Sequence, residues 1–158
     1  NTIVAGGTVQ EEVGLRGAKV ASAMITPDLF LAVDVSPVGD FLPKGDINAN
    51  GKLGGGFLIR YYDPRCIMNP ELFKYFEHLA ETNNINFQYF KSTGGTDAAE
   101  AQYAGNGTLA TTVGVPGRYI HSTATMIHVD DLQATKAMLI AIIKDFDDKR
   151  LKELLGHE

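Results

Sequence analysis

Leu29-Phe30-Leu31-Ala32-Val33-Asp34-Val35 is the stretch on which the fold class turns. The run is short, it follows Pro27 closely, and it stays apolar without alternation until a charge near its end. That pattern predicts a strand covered on both faces of a sheet rather than a buried helix. Upstream, Gly14 to Met24 carries small and apolar residues at helical spacing, and Thr2 to Val9 reads as a strand interrupted by Gly6 and Gly7. Strand, turn, helix, strand is therefore the expected opening order.

Downstream, Ser36 to Gly56 is dominated by glycine, proline and polar residues, with Asn50-Gly51 as a hairpin-type turn signal. Phe57 to Tyr62 is the expected next strand. Asn69-Pro70-Glu71 is a helix start with a mechanism: an N-capping amide, proline at the first helical position and an acid in the first turn. That helix is predicted to reach about Glu81 and to bury Leu72, Phe73, Phe76 and Leu79. Ile85 to Phe90 alternates as a strand, the glycine-rich turn Ser92 to Asp97 follows, and a short helix is expected from Ala98 to Tyr103. Leu109 to Val115 is a further strand. The last helix is predicted to be capped by Asp130 and Gln133 and to bury Leu132, Met138, Leu139, Ile142, Ile143 and Phe146, with a solvated or frayed end from Asp147. Strands alternating with helices define an α/β protein with a mostly parallel sheet.

The 158 residues are the size of one ordinary domain, for which one core is expected. A composition of 44% hydrophobic and 21% charged residues excludes a disordered chain, and no apolar run approaches the ~20 residues of a membrane span. A formal net charge of −5 without a Lys/Arg cluster argues against nucleic acid as a partner. One cysteine, Cys66, excludes an intrachain disulfide, reads as a small buried hydrophobe, and fits a reducing, cytoplasmic location. The start at Asn1, immediately ahead of an apolar run and without a signal-peptide pattern, leads us to expect a processed piece or part of a longer protein.

Chemistry in open α/β sheets collects where loops leave the carboxyl ends of strands. Glu11 and Glu12 follow the first expected strand, Asp34 closes the second, and His121 follows the late one. An adjacent glutamate pair ordinarily just favours a helix N-terminus. Asp34, inside an apolar strand, is read either as a structural hydrogen-bond acceptor or as a metal ligand. Together, two carboxylate positions and an imidazole form the donor types that zinc, cobalt or manganese accept. His78 and His157 read as surface residues, and His128 stays open. Gly94-Gly95-Thr96-Asp97 lacks the lysine and spacing of a phosphate cradle.

Four ordered motifs add to this reading: Val9 to Ala18 around Glu11-Glu12, Ala32-Val33-Asp34-Val35, Gly94-Gly95-Thr96-Asp97-Ala98, and Gly114-Val115-Pro116 with Arg118-Tyr119-Ile120-His121-Ser122. Over essentially the whole chain they resemble the glutamyl aminopeptidase family, the tetrahedral, co-catalytic metal aminopeptidases. The resemblance implies a three-layer metal-dependent exopeptidase fold and two divalent ions, zinc, cobalt or manganese. It implies Glu11 as general base, Glu12 and His121 on one metal, Asp34 on the other, and Gly94, Gly95, Thr96 and Asp97 along the substrate. The substrates it implies are peptides with a free, preferably acidic, N-terminal residue, read by a cation among Arg118, Lys91 and Arg65. Family members assemble as homo-oligomers, dodecamers among them. They also carry a histidine ligand, a bridging aspartate and an inserted β-rich domain N-terminal to the glutamate pair, so residues 1–158 match the C-terminal part of one catalytic domain. A related dimetal exopeptidase or deacylase, and a non-catalytic assembly piece, are the competing expectations.

Overall fold

A computed structural model describes residues 1–156; His157 lies outside the described residues. In chain order the elements are α1 (Arg16–Ile25), β1 (Leu29–Pro37), β2 (Phe57–Asp63), β3 (Cys66–Ile67), α2 (Pro70–Thr82), β4 (Phe87–Lys91), α3 (Ala98–Ala101), β5 (Leu109–Arg118), β6 (Met126–Ile127), α4 (Val129–Asp145) and α5 (Asp148–Leu155). The decisive apolar run is indeed a strand, β1. It pairs with β5 in parallel, from Leu29 opposite Leu109 to Pro37 opposite Gly117.

Successive strand residues point to opposite faces, so this ladder feeds two cores. Phe57, Ile59, Leu109 and Val113 face α2 and α4, meeting Leu72, Phe76, Met138 and Ile142. Phe30, Ala32 and Ala110 face the other way, toward Leu15 ahead of α1 and Ala98 and Ala99 in or beside α3. Helices therefore lie on both sides of the sheet, as a three-layer α/β fold requires. The small residues on the second face let α3 and the start of α1 approach the sheet closely. Each fully buried large side chain of the first face, Phe57, Leu72, Phe76 or Met138, is worth ~1.5–3 kcal/mol.

Several expectations are corrected. The parallel character of the sheet is borne out in part: the longest ladders, β1 with β5 and β2 with β4, are parallel, whereas β2 with β5, β2 with β3 and β5 with β6 are antiparallel. The cause is the helix-free excursion between Pro37 and Phe57. Without a crossover helix, the chain re-enters the sheet at the end where β1 stopped, and β2 must run the opposite way. β1 is covered on both faces over its first half, where Leu29 and Leu31 pack toward α2 and α4 and Phe30 and Ala32 toward Leu15 and α3, but it is an edge strand among the described residues and Val33 is 54% exposed.

Residues Thr2 to Val9 form no strand. They are exposed and lack a neighbouring strand among the described residues, and Gly6 and Gly7 offer no side chain to bury. Asn50-Gly51 closes no hairpin, since the strands on either side of it, β1 and β2, are not neighbours in the sheet.

At α4 the N-cap is His128, whose Nδ1 accepts the Asp130 N–H. Asp130 and Gln133 form no capping box, and Leu132 and Ile143 are exposed. The stretch beyond Asp147 is not a frayed tail: Asp147 caps α5 by accepting the Arg150 N–H at 2.8 Å, and Leu154 is buried. Among the described residues no helix is long and apolar enough to cross a membrane.

Two expectations did hold locally. Asn69 Oδ1 accepts the N–H groups of Glu71 and Leu72 at 2.8 and 3.1 Å, capping α2. Cys66 is buried, and burial, reinforced by nearby Asp63, pushes its thiol up to about 11. Asn69→Ala is expected to cost about 1 kcal/mol in urea unfolding. Cys66 is expected to resist iodoacetamide at pH 8 in the native protein and to react on unfolding; rapid native labelling would contradict its burial.

Candidate metal and proton-transfer site

The two glutamates sit on a tight loop that folds back on itself ahead of α1. Glu11 carbonyl oxygen accepts the N–H groups of Gly14 and Leu15, Gln10 that of Arg16, and Val9 that of Gly17 at 2.9 Å. Closing so short a loop needs left-handed backbone at Gln10, Gly14 and Leu15. It also needs Gly17, because a Cβ there would lie 2.5 Å from both the nitrogen and the oxygen of Val9. The first turn of α1 is thus pressed against the backbone leading into Glu11. Glu11 is half-buried and Glu12 exposed as a result.

His121 comes from the far end of the chain, in the turn between β5 and β6. Tyr119 and His121 both have positive φ, 62° and 58°, which for non-glycine residues costs free energy and marks a position the surroundings impose. The turn delivers His121 Nε2 to 3.3 Å from Glu12 Oε2. With side chains 71% and 72% exposed, the pair contributes little to stability as an ion pair.

Its spacing has another meaning. Two ligands ~2.0–2.1 Å from one tetrahedral ion stand about 3.3–3.4 Å apart, so these two donors already have the separation of neighbouring ligands. They fit half a coordination sphere. Among the described residues no group of three His, Cys, Asp or Glu side chains gathers as a metal cluster.

Asp34, part-buried in β1, accepts the Val35 N–H on Oδ1 at 2.7 Å. It also faces Glu11 electrostatically. Burial first, and then the charges of Asp34, Glu12 and Asp97, push the Glu11 carboxyl above its ordinary value, with His121 pulling the other way. A carboxyl so placed holds a proton more readily than a free one, which suits an acid–base role. Glu11, Glu12, Asp34, Asp97 and His121 are therefore brought into one neighbourhood.

The Gly94 to Asp97 loop borders that neighbourhood. Asp97 accepts the Thr8 hydroxyl, tying the stretch before Glu11 to the start of α3. Thr96 Oγ1 meets Thr112 Oγ1 of β5 at 2.6 Å. Gly94 carbonyl oxygen accepts from Arg60, a buried β2 residue paired with Asp63 at 3.1 Å. Gly95 packs near the Arg65 stem.

The three candidate cations are all engaged. Arg118 donates twice to Asp40, at 2.7 and 2.8 Å, Arg65 pairs with Glu100 at 2.5 Å, and Lys91 lies over the Tyr62 ring at 5.1 Å. The hydrogen bond from Arg118 holds the Asp40 carboxyl below the usual carboxylate range. His78 is exposed, as expected.

Arg60 and Asp40 were not singled out by sequence. The rule that flags Asp34, a charge inside an apolar strand, applies equally to Arg60 in Phe57-Leu58-Ile59-Arg60-Tyr61-Tyr62. Asp40 carries no such signal, since it lies in a polar loop.

The profile of the M42 glutamyl aminopeptidase family matches residues 1–138. Glutamyl aminopeptidase of Lactococcus lactis subsp. cremoris is 42% identical over 156 residues, 99% of this chain and 43% of that protein. Lysyl aminopeptidase of Pyrococcus furiosus is 32% identical over 140 residues, 87% of this chain and 39% of that one. The crystal structure of the TET aminopeptidase from the marine sediment archaeon Thaumarchaeota archaeon SCGC AB-539-E09 superposes with a TM-score of 0.88 at 32% identity, over 94% of this chain and 42% of that one. The chain spans less than half the length of these relatives.

Gly17→Ala separates two physical effects by sign. Helix propensity alone would make the substitution stabilising by up to ~1 kcal/mol. The close approach to Val9 predicts instead a loss of about 1–3 kcal/mol, read as a lower denaturation midpoint.

Proposed function

Since the chain belongs to the M42 glutamyl aminopeptidase family, we propose that it supplies the C-terminal part of the catalytic domain of a metal-dependent aminopeptidase. The observation that carries this reading is the 3.3 Å approach of His121 to Glu12, beside a Glu11 whose carboxyl is raised by its neighbours. In this assignment Glu12 and His121 hold one divalent ion and Asp34 a second, with further ligands supplied from outside these residues. The ions supply Lewis acidity toward the scissile carbonyl and lower the pKa of water.

The chain's own residues divide the remaining work. Glu11 stays off the metals, because a liganding carboxylate could not serve as a free base. It takes a proton from the attacking water as the new C–O bond forms, and returns it to the leaving amine as the C–N bond breaks. The loop from Gly94 to Asp97 lies along the bound peptide, its position set by Arg60 and by the Thr96–Thr112 contact.

Preference for acidic N-terminal residues is the finer proposal. It is supported by the 42% identity to a glutamyl aminopeptidase, while the lysyl enzyme among the relatives makes the N-terminal side chain a property to be measured. Arg118, Arg65 and Lys91 would each have to exchange a present contact for a substrate carboxylate. Homo-oligomeric assembly belongs to the same proposal. Val20 and Met24 on α1 and Val33 on β1 are exposed apolar side chains of the kind that a larger assembly covers. The absence of a three-ligand cluster among the described residues favours one alternative, an assembly piece that binds no metal.

In the full-length protein, Glu11→Gln is expected to retain metal while losing at least about 100-fold in activity, and Glu12→Ala or His121→Ala to lose metal. Metal analysis of the purified variants, with hydrolysis of Glu-p-nitroanilide, reads both. A parent protein that is metal-free yet forms its oligomer would support the assembly reading instead. Changing Arg118, Arg65 and Lys91 singly to Gln is expected to identify one variant that loses Glu-p-nitroanilide but not Leu-p-nitroanilide cleavage. If all three variants keep the parent's ratio of the two, none of these cations reads the substrate.

A further inference from the structure

The turn that carries His121 is closed by a short ladder of two residue pairs, Gly117 opposite Ile127 and Arg118 opposite Met126. Residues 121–130 are all exposed, Tyr119 and His121 are in left-handed conformations, and Ser122 closes the turn only onto Tyr119 and Ala124 within it. Beyond that ladder, the residues just before the turn are held by the stretch that leaves β1. Val38 N–H donates to Gly117 carbonyl oxygen at 2.9 Å, extending the β1–β5 ladder by one step. Asp40 takes both Nε and Nη2 of Arg118, at 2.7 and 2.8 Å. The Phe41 ring lies 5.5 Å from that of Tyr119.

Asp40 is itself fastened. Its Oδ2 also accepts the Leu53 N–H at 3.0 Å, and the far end of the same loop is pinned by Asp131, which accepts the N–H groups of Gly54 and Gly56 at 2.8 and 2.7 Å. Gln88 of β4 exchanges hydrogen bonds with the backbone of Lys52. The carboxylate thus belongs to a loop anchored at both ends, and its bidentate pairing fixes the direction of Arg118 as well as its distance.

We propose that Asp40 is a positioning residue for the His121 imidazole: by clamping Arg118 it holds the turn that keeps Nε2 beside Glu12. Arg118 is then a structural tether in the resting protein. This inference rests on His121 being a metal ligand, as proposed above. Removing a hydrogen-bond partner of a metal ligand typically weakens metal binding about 10- to 100-fold; Asp40 acts a step further back, through Arg118, which places its effect at the lower end.

The test is competition titration of zinc against a chromogenic chelator, on the full-length protein and its Asp40→Ala, Asp40→Asn and His121→Ala variants. Thermal unfolding in excess chelator is followed alongside. Asp40→Ala is expected to bind zinc about 10-fold more weakly while its metal-free unfolding midpoint stays near that of the parent. The exchange Asp40→Arg with Arg118→Asp is expected to recover part of the loss. Asp40→Asn, which keeps the shape, gives the same reading should the alanine variant not fold. Asp40 variants within twofold of the parent, with His121→Ala impaired, would overturn the clamp alone. His121→Ala also within twofold would remove the ligand assignment, and the clamp with it.

Discussion

Parallel pairing of β1 with β5 in one register is the constraint on which the site depends. Because both strands run the same way from Leu29 opposite Leu109, their carboxyl ends leave the sheet together. Asp34 near the end of one and His121 just beyond the other are thereby delivered to the same edge. The register matters as much as the direction. Asp34 shares the strand face of Phe30 and Ala32, the side on which Leu15 and Ala98 pack; the Glu11 carbonyl accepts the Leu15 N–H, and Asp97 immediately precedes Ala98. A slip of one residue would turn Asp34 into the apolar face beneath α2 and α4.

Around that ladder the site is assembled from two short turns that are each uncomfortable alone. Gln10 and Leu15 bracket the glutamates in left-handed backbone, and Tyr119 and His121 do the same for the imidazole. Neither turn is held by its own hydrogen bonds only. The first is pressed against Gly17 and tied through Thr8 to Asp97, and the second is tied through Arg118 and Tyr119 to the loop after β1. The free energy spent on those conformations is recovered elsewhere in the fold, chiefly in the core under α2 and α4.

Buried charges serve the same end. Arg60, within the sheet, reaches both Asp63 and the Gly94 carbonyl. Asp131, fully buried at the start of α4, accepts two glycine N–H groups. A buried ion pair such as Arg60–Asp63 contributes little net stability against apolar replacements of equal volume. The effect of these charges is to fix where irregular loops run, and the loop that Arg60 holds at Gly94 leads into Asp97 beside the candidate site.

What the amino-acid sequence determined by itself is what depends on local chemistry. The Asn69 cap, the apolar runs of β1, β2 and β5, and the α/β class follow from side-chain periodicity and capping, which act over a few residues. The motif order around Glu11, Asp34, Gly94 and His121 carried the family. Tertiary structure decided the rest. Strand direction between β2 and β5 was set by the path of a helix-free loop, not by either strand's composition. Whether Thr2 to Val9 forms a strand depended on a neighbour to pair with. The His121–Glu12 distance and the Arg118–Asp40 clamp join residues from opposite ends of the chain and from a polar loop. No local pattern records such contacts, because their geometry exists only once the β1–β5 register and the loop anchors are in place.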